Sequence, residues 1–306
     1  MIRDFACLKE KLLSMPQKRR IAVTPAQDIH TLEAVVHAAE DGLVEPVLIG
    51  NELEIRDILG RLKSDGTGME FIHIEDPTAC IQKAADMARD GLVDCIMKGK
   101  TETGPLMKVL VNREKGIRKS DTMSLLAFME SPGYHKVFGI TDVGLLTYPD
   151  KEQKKAAMRN AVNAFHSLGV KMPKVAVLAA VEKVNPKMKE TVEAAEIKEE
   201  GLEGCVLEGP ISFDLAMDPE AARVKGYVSP VAGDADILLM PDIVSGNVLA
   251  KSITVIGGGK TGGVVLGARV PVLLVSRAAK ADDKYMSIIL AALIGKKEEN
   301  VTYEFT

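Results

Sequence analysis

The chain has 306 residues, 46% of them hydrophobic and 27% charged, which supplies ample material for a buried core and excludes a disordered chain. Its length predicts two domains rather than one, with chemistry expected in a cleft between two lobes. A formal charge of −4, the absence of Trp and only 4% aromatic residues exclude the basic footprint and stacking platforms of general nucleic-acid binders.

Residues 1–20 carry Asp4, Lys9, Glu10 and Lys11 where a signal peptide would have an apolar centre. No run of about 18 uncharged apolar residues is present, so no membrane span is predicted and a cytoplasmic protein is expected. Short β-branched runs alternate with helical periodicity, the pattern of an α/β protein with mainly parallel sheets. Strands are predicted at 20–23, 44–49, 70–74 and 93–97, alternating with helices at 28–41, 53–62 and 77–90 that Gly42 and Gly91 help to stop. The last of these strands runs into a polar loop at 98–104. Glu130-Ser131-Pro132-Gly133 then interrupts the pattern and marks the predicted crossing between lobes. Beyond it come a strand at 137–140, a helix at 150–168, a strand at 174–180, a helix at 186–199 and strands at 205–207 and 237–240. Residues 245–256 carry both extended and helical signals, and the spacing of Val248, Leu249, Ser252 and Ile256 favours a helix behind a Ser245 or Asn247 cap. A strand at 270–275 and a helix at 282–294 complete the first lobe, giving predicted domains of 1–133 plus 270–306 and of 134–269.

Cys7, Cys80, Cys95 and Cys205 form no Cys-x-x-Cys pair and read as free thiols, and the five histidines form no ligand cluster, so no metal site is predicted. Gly257-Gly258-Gly259-Lys260-Thr261-Gly262-Gly263 suggests phosphate. It is not a phosphate-binding loop of the G-x-x-x-x-G-K-[ST] type, because position 254 is Thr254, and no crossover helix fits between it and the strand at 270 as a dinucleotide fingerprint requires. What remains is either a flexible loop whose N–H groups and Lys260 hold an anion, or a plain long turn. Ser276 and Arg277 follow a buried strand, where a hydroxyl and a guanidinium could meet a phosphate; a surface ion pair for Arg277, with Asp282 and Asp283 merely opposing a helix dipole, is the competing reading.

The run from Pro241-Asp242-Ile243-Val244-Ser245-Gly246-Asn247 through the glycine cluster to Val275-Ser276-Arg277 resembles the C-terminal signature of the phosphotransacylases, the phosphate acetyltransferase and butyryltransferase family. The likeness extends to Gly139-Ile140-Thr141-Asp142 and to residues 173–178. It implies two α/β lobes of the isocitrate and isopropylmalate dehydrogenase type, a homodimer or higher homo-oligomer, no tightly bound cofactor, and coenzyme A as a substrate alongside acyl-CoA, phosphate and acyl phosphate. By the same resemblance Ser276 stabilises the tetrahedral intermediate, Arg277 holds phosphate oxygens, and Asp283, seven residues beyond the serine, takes the thiol proton, with Asp282 as the neighbouring alternative. Gly257, Gly258, Gly259, Lys260 and Thr261 would border the substrate pocket, and the helix start at Asn247 would add N–H donors. Ala278 and Lys280 depart from the acetyl branch, which has Gly and Ser there, so butyryl-CoA is the expected substrate. The family's phosphate-binding arginines lie in the first lobe, and their assignment to Arg113 or Arg118 stays open. Two other classes remain: a metal- and nicotinamide-dependent decarboxylating dehydrogenase using Asp234, Asp236 and Asp242, and a non-catalytic phosphometabolite-binding protein.

Overall fold

The computed structural model describes residues 1–274 and 280–295. In chain order its elements are α1 (Phe5–Leu13), β1 (Arg19–Thr24), α2 (Ile29–Glu40), β2 (Val44–Gly50), α3 (Glu52–Arg61), β3 (Glu70–His73), α4 (Pro77–Arg89), β4 (Cys95–Lys98) and α5 (Thr103–Leu110). They continue as β5 (Ser124–Glu130), β6 (Phe138–Thr141), α6 (Lys151–Ser167), β7 (Lys174–Leu178), α7 (Lys189–Glu200), β8 (Val206–Ile211), α8 (Phe213–Met217), α9 (Pro219–Val224) and β9 (Ile237–Leu239). The last are α10 (Ile243–Val255), β10 (Lys260–Leu266), β11 (Val272–Leu273) and α11 (Ala281–Ile294). Asp28, Asn51, Asp76, Asp150 and Asp242 each accept the backbone N–H three residues on, which fixes where α2, α3, α4, α6 and α10 begin. At α6 the Gln153 side chain returns the bond, closing a capping box.

Two compact units result. One comprises Lys9–Lys119 and the chain from Ala268. Its five strands are all parallel, in the order β3-β2-β1-β4-β11. Helices α2 and α11 pack on each other, and α4 packs on β1, β2 and β4. The other unit comprises Met1–Leu8 and Ser120–Gly267, with strands in the order β10-β5-β6-β9-β7-β8. There β10 and β6 flank β5 antiparallel, and β6, β9, β7 and β8 run parallel. Its core gathers Met129, Phe138, Ile140, Ala176, Leu215, Val231 and Leu238.

Several local expectations are corrected. Residues 257–263 are not a loop throughout: from Lys260 the chain is strand β10, paired with β5 from Lys260↔Glu130 to Leu266↔Ser124. Strand pairing overrides the low β-propensity of Gly262 and Gly263. Helix α10 is capped by Asp242, not by Ser245 or Asn247, because the Asp242 carboxylate receives Ser245 N–H at 2.8 Å. The turn formers at 131–133 close the β5–β6 hairpin, with Tyr134 N–H bonded to Ser131 O at 3.0 Å. Elements α1, α5, β5, α8 and α9 carry no prediction from sequence, being short or buried on both faces.

Candidate active site

Strand order reverses beside β1: the chain lays β2 and β3 on one side and β4 and β11 on the other. In open parallel sheets the crevice outside the carboxyl ends at such a reversal is where ligands bind. The residues that end the two central strands, Thr24 and Lys98, are partners in register. Thr24 is wholly buried, and its Oγ1 has no hydrogen-bond partner among the described residues. Lys98 is 9% exposed, and its ammonium donates to Thr101 O at 2.9 Å and Gly99 O at 3.4 Å.

The loops that follow these strands are bonded to each other. Gly99 N–H reaches Thr24 O at 3.0 Å and Lys100 N–H reaches Pro25 O at 2.8 Å. The approach is so close that a Cβ on Gly99 would lie 1.9 Å from Pro25 O, so any side chain there would force the two loops apart. Helix α5 opens behind Glu102 with no side-chain cap. Sequence reading registers the 98–104 loop as polar without giving it a role; the signal it lacks is the neighbour relation of β1 and β4.

Strand β11 lies beside β4, with Leu273 opposite Met97. Ser276 and Arg277 lie outside the described residues. The chain is described again from Lys280, and α11 carries Asp282 and Asp283 in its first turn, where acidic groups oppose the helix dipole. Asp282 is exposed and Asp283 is half-buried. Behind them the Tyr285 hydroxyl donates to Asp41, which also pairs with Lys9 at 2.7 Å, tying α11 to the end of α2.

The remaining predicted site residues belong to the other unit and are engaged in holding its fold. Gly257 N–H and Gly259 N–H bond to Ser252 O and Ile253 O, closing the end of α10. Gly258 has φ +67°, the left-handed conformation that suits glycine at a helix end. Lys260 pairs with Glu130 at 2.8 Å, whose second oxygen receives Phe5 N–H at 2.6 Å. Thr261 Oγ1 donates to Phe128 O at 3.1 Å, and Asn247 Nδ2 to Val143 O at 3.0 Å. Asp142, from the Gly139–Asp142 stretch, is buried and accepts Leu125, Gly144 and Leu145 N–H at 2.6–2.7 Å; burial pushes its carboxyl above the usual range despite these bonds.

The three aspartates of the dehydrogenase reading do not converge. Asp234 and Asp236 precede β9, where Lys136 bridges them at 2.8 and 2.7 Å, whereas Asp242 follows the same strand and caps α10. Burial would raise the Asp234 carboxyl, but bonds from Lys136, Lys174 and His135 hold it far below the usual range. Among the described residues no group of three or more His, Cys, Asp or Glu is placed to hold a metal ion. Nor is any helix among them long and apolar enough to cross a membrane.

Parallel strands with a switch point and polar residues at the ends of the central strands define an α/β protein of the open-sheet class, whose ligands bind at the carboxyl ends of the strands. Residues 57–292 match the family described as Phosphate acetyl/butaryl transferase, and the chain belongs to that family. It is 37% identical over 298 residues to a phosphate butyryltransferase of Clostridium acetobutylicum, covering 96% of this chain and 99% of that one. It is 38% identical over 290 residues to a phosphate acetyltransferase of Thermotoga maritima, covering 93% and 98%. Among solved structures, a branched-chain phosphotransacylase from Enterococcus faecalis superposes with a TM-score of 0.81 at 29% identity, covering 90% of this chain and 99% of that one.

Proposed function

We propose that this protein is an acyltransferase that reversibly converts acyl-CoA and phosphate into acyl phosphate and coenzyme A, with butyryl-CoA preferred. The observation that carries the reading is the match along nearly the full chain to a phosphate butyryltransferase; the roles of Ser276, Arg277 and Asp283 follow from the resemblance of their motif to the family's. In the thiolysis direction a thiol with a pKa of about 8.5 must lose its proton, and the Asp283 carboxylate takes it. The thiolate attacks the acyl phosphate carbonyl, and the negative charge that builds on the carbonyl oxygen is stabilised by the Ser276 hydroxyl. Arg277 holds phosphate oxygens in a bidentate pair as phosphate leaves.

Lys98 and Thr24 at the switch point are further polar partners for the substrates. Gly257, Gly259, Lys260, Thr261 and Asn247 serve as scaffold in this reading, since the bonds described above already engage them, and Gly258 supplies the left-handed turn at the end of α10. Further parts of the proposal are a cytoplasmic location, no tightly bound cofactor, a fold of the isocitrate and isopropylmalate dehydrogenase type, and a homo-oligomer. Exposed Val244, Val248, Val255 and Ile256 on and beside α10 support the last of these.

The test is release of free coenzyme A from butyryl-CoA with and without phosphate. Release only with phosphate, unaffected by a chelator, is expected; equal release without phosphate would identify a hydrolase. In competition, acyl chains of about four carbons should exceed acetyl in kcat/KM, and because one methylene step in an apolar pocket gives only roughly 10–200-fold, neighbouring chain lengths should also be used. Preference for acetyl-CoA would reverse the chain-length assignment alone.

A further inference from the structure

Helix α11 is held firmly from its second turn onward and only lightly at its first. Residues 284–293 are all buried, whereas Ala281 and Asp282 are exposed and Asp283 is half-buried. Among the described residues no side chain caps the helix start at Lys280, and the backbone bond that opens the helix, Lys284 N–H to Lys280 O, is long at 3.3 Å. A carboxylate in such a turn keeps a fixed place only if the next turn fixes it.

Two side chains of that next turn are locked. Ser287, 1% exposed, donates its hydroxyl to the Asp283 carbonyl at 2.7 Å. Tyr285 is gripped on ring and hydroxyl alike. Its ring stacks on His37 of α2, with centroids 4.6 Å apart and planes at 28°, and the Lys9 ammonium of α1 lies 5.3 Å from the ring centroid. Its hydroxyl donates to Oδ2 of Asp41, the residue that ends α2, and the same oxygen takes the Lys9 ammonium at 2.7 Å. The bond from Lys9 holds the Asp41 carboxyl below the usual carboxylate range, while burial pushes the Tyr285 phenol up, so acceptor and donor keep their forms where a thiol ionises. Phenylalanine would satisfy the burial and the stacking equally well. What the hydroxyl adds is a directional bond that sets the rotation and height of α11 against α2, two residues beyond Asp283.

We propose that Tyr285, held by Asp41 and Lys9, is a positioning residue for proton transfer, fixing the first turn of α11 so that the Asp283 carboxylate meets the coenzyme A thiol. The proposal rests on the acyltransfer reading. Proton transfer is sensitive to such placement, since a shift of about 1 Å can cost on the order of 10²-fold in rate.

The test is a double-mutant cycle of Tyr285→Phe and Asp283→Asn, with steady-state thiolysis measured in all four proteins. Tyr285→Phe should lower kcat roughly 10- to 100-fold while KM for acyl phosphate and for coenzyme A changes less than about twofold. In the Asp283→Asn background the same substitution should lower kcat no further, because no base is left to misplace. Hydrogen exchange of the 281–285 amides should quicken roughly tenfold in Tyr285→Phe, as expected for one lost hydrogen bond. If Tyr285→Phe does not fold, Asp41→Ala, which removes the acceptor from the end of α2, carries the same cycle. Equal losses of kcat in both backgrounds would overturn the proposal by showing a general structural role, and so would unchanged kcat in the single variant or a defect confined to KM. Absence of phosphate-dependent thiol release in wild type is a different result, the failure of the acyltransfer reading itself.

Discussion

Asp282 and Asp283 are neighbours in the first turn of α11, yet one is exposed and the other half-buried, which makes them separable by mutation. Asp283→Asn should leave the melting temperature close to wild type and lower thiolysis by the ~10²–10⁴-fold typical of a lost general base. Asp282→Asn should change turnover less than about twofold, since a solvated carboxylate contributes little beyond dipole compensation. Near-wild-type turnover in the Asp283 variant, in a step limited by chemistry, would reduce it to a dipole-compensating residue. A large loss in the Asp282 variant would shift the motif assignment by one. Arg277→Ala should raise the phosphate KM far more than the coenzyme A KM, because a guanidinium grips phosphate with two parallel N–H bonds. Steady-state kinetics with phosphate varied at saturating acyl-CoA checks this, and a loss confined to coenzyme A would move Arg277 to the phosphates of coenzyme A.

The amino ends of β6, β7 and β9 are joined by charge. Lys136, 5% exposed at its side chain, pairs with Asp234 and Asp236, and Asp236 also accepts Lys174 N–H at 2.8 Å. Lys136→Met should destabilise the fold by about 3–5 kcal/mol, because it leaves a buried carboxylate without its counter-charge. Urea unfolding measures this, and a change under 1 kcal/mol would show that water replaces the lysine. The Asp234 carboxyl is depressed in the folded state, so the stability it contributes is present above the ordinary carboxylate range and is lost as pH falls through its lower folded value. Stability curves of wild type and variant should therefore converge on acidification. A gap that persists undiminished at pH 2 would contradict the linkage.

At the scale of the whole molecule, the apolar surface of α10 makes assembly testable. Val244 and Val248 are four apart on the helix and both exposed, with Val255 and Ile256 beyond them. Val248→Glu replaces no core contact, so the circular dichroism spectrum should stay unchanged while light scattering reports a smaller species than wild type. An unchanged oligomer would free this face for another role, and a monomeric wild type would end the oligomer proposal.

The sequence by itself determined the α/β class, the alternation of β1 to β4 with α2 to α4, and the helix starts at Asp28 and Asp150. These follow from local periodicity and from caps that act within one turn. The family was legible too, through the motif around Ser276, Arg277 and Asp283. Only tertiary structure decided that Lys260 opens a strand instead of a loop, since its hydrogen bonds go to Glu130 and the rest of β5, far away in the chain. Nor could sequence show that the end of β1 meets the end of β4 at Thr24 and Lys98. Strand order and burial arise from contacts between residues distant in sequence, and no window of local pattern carries them.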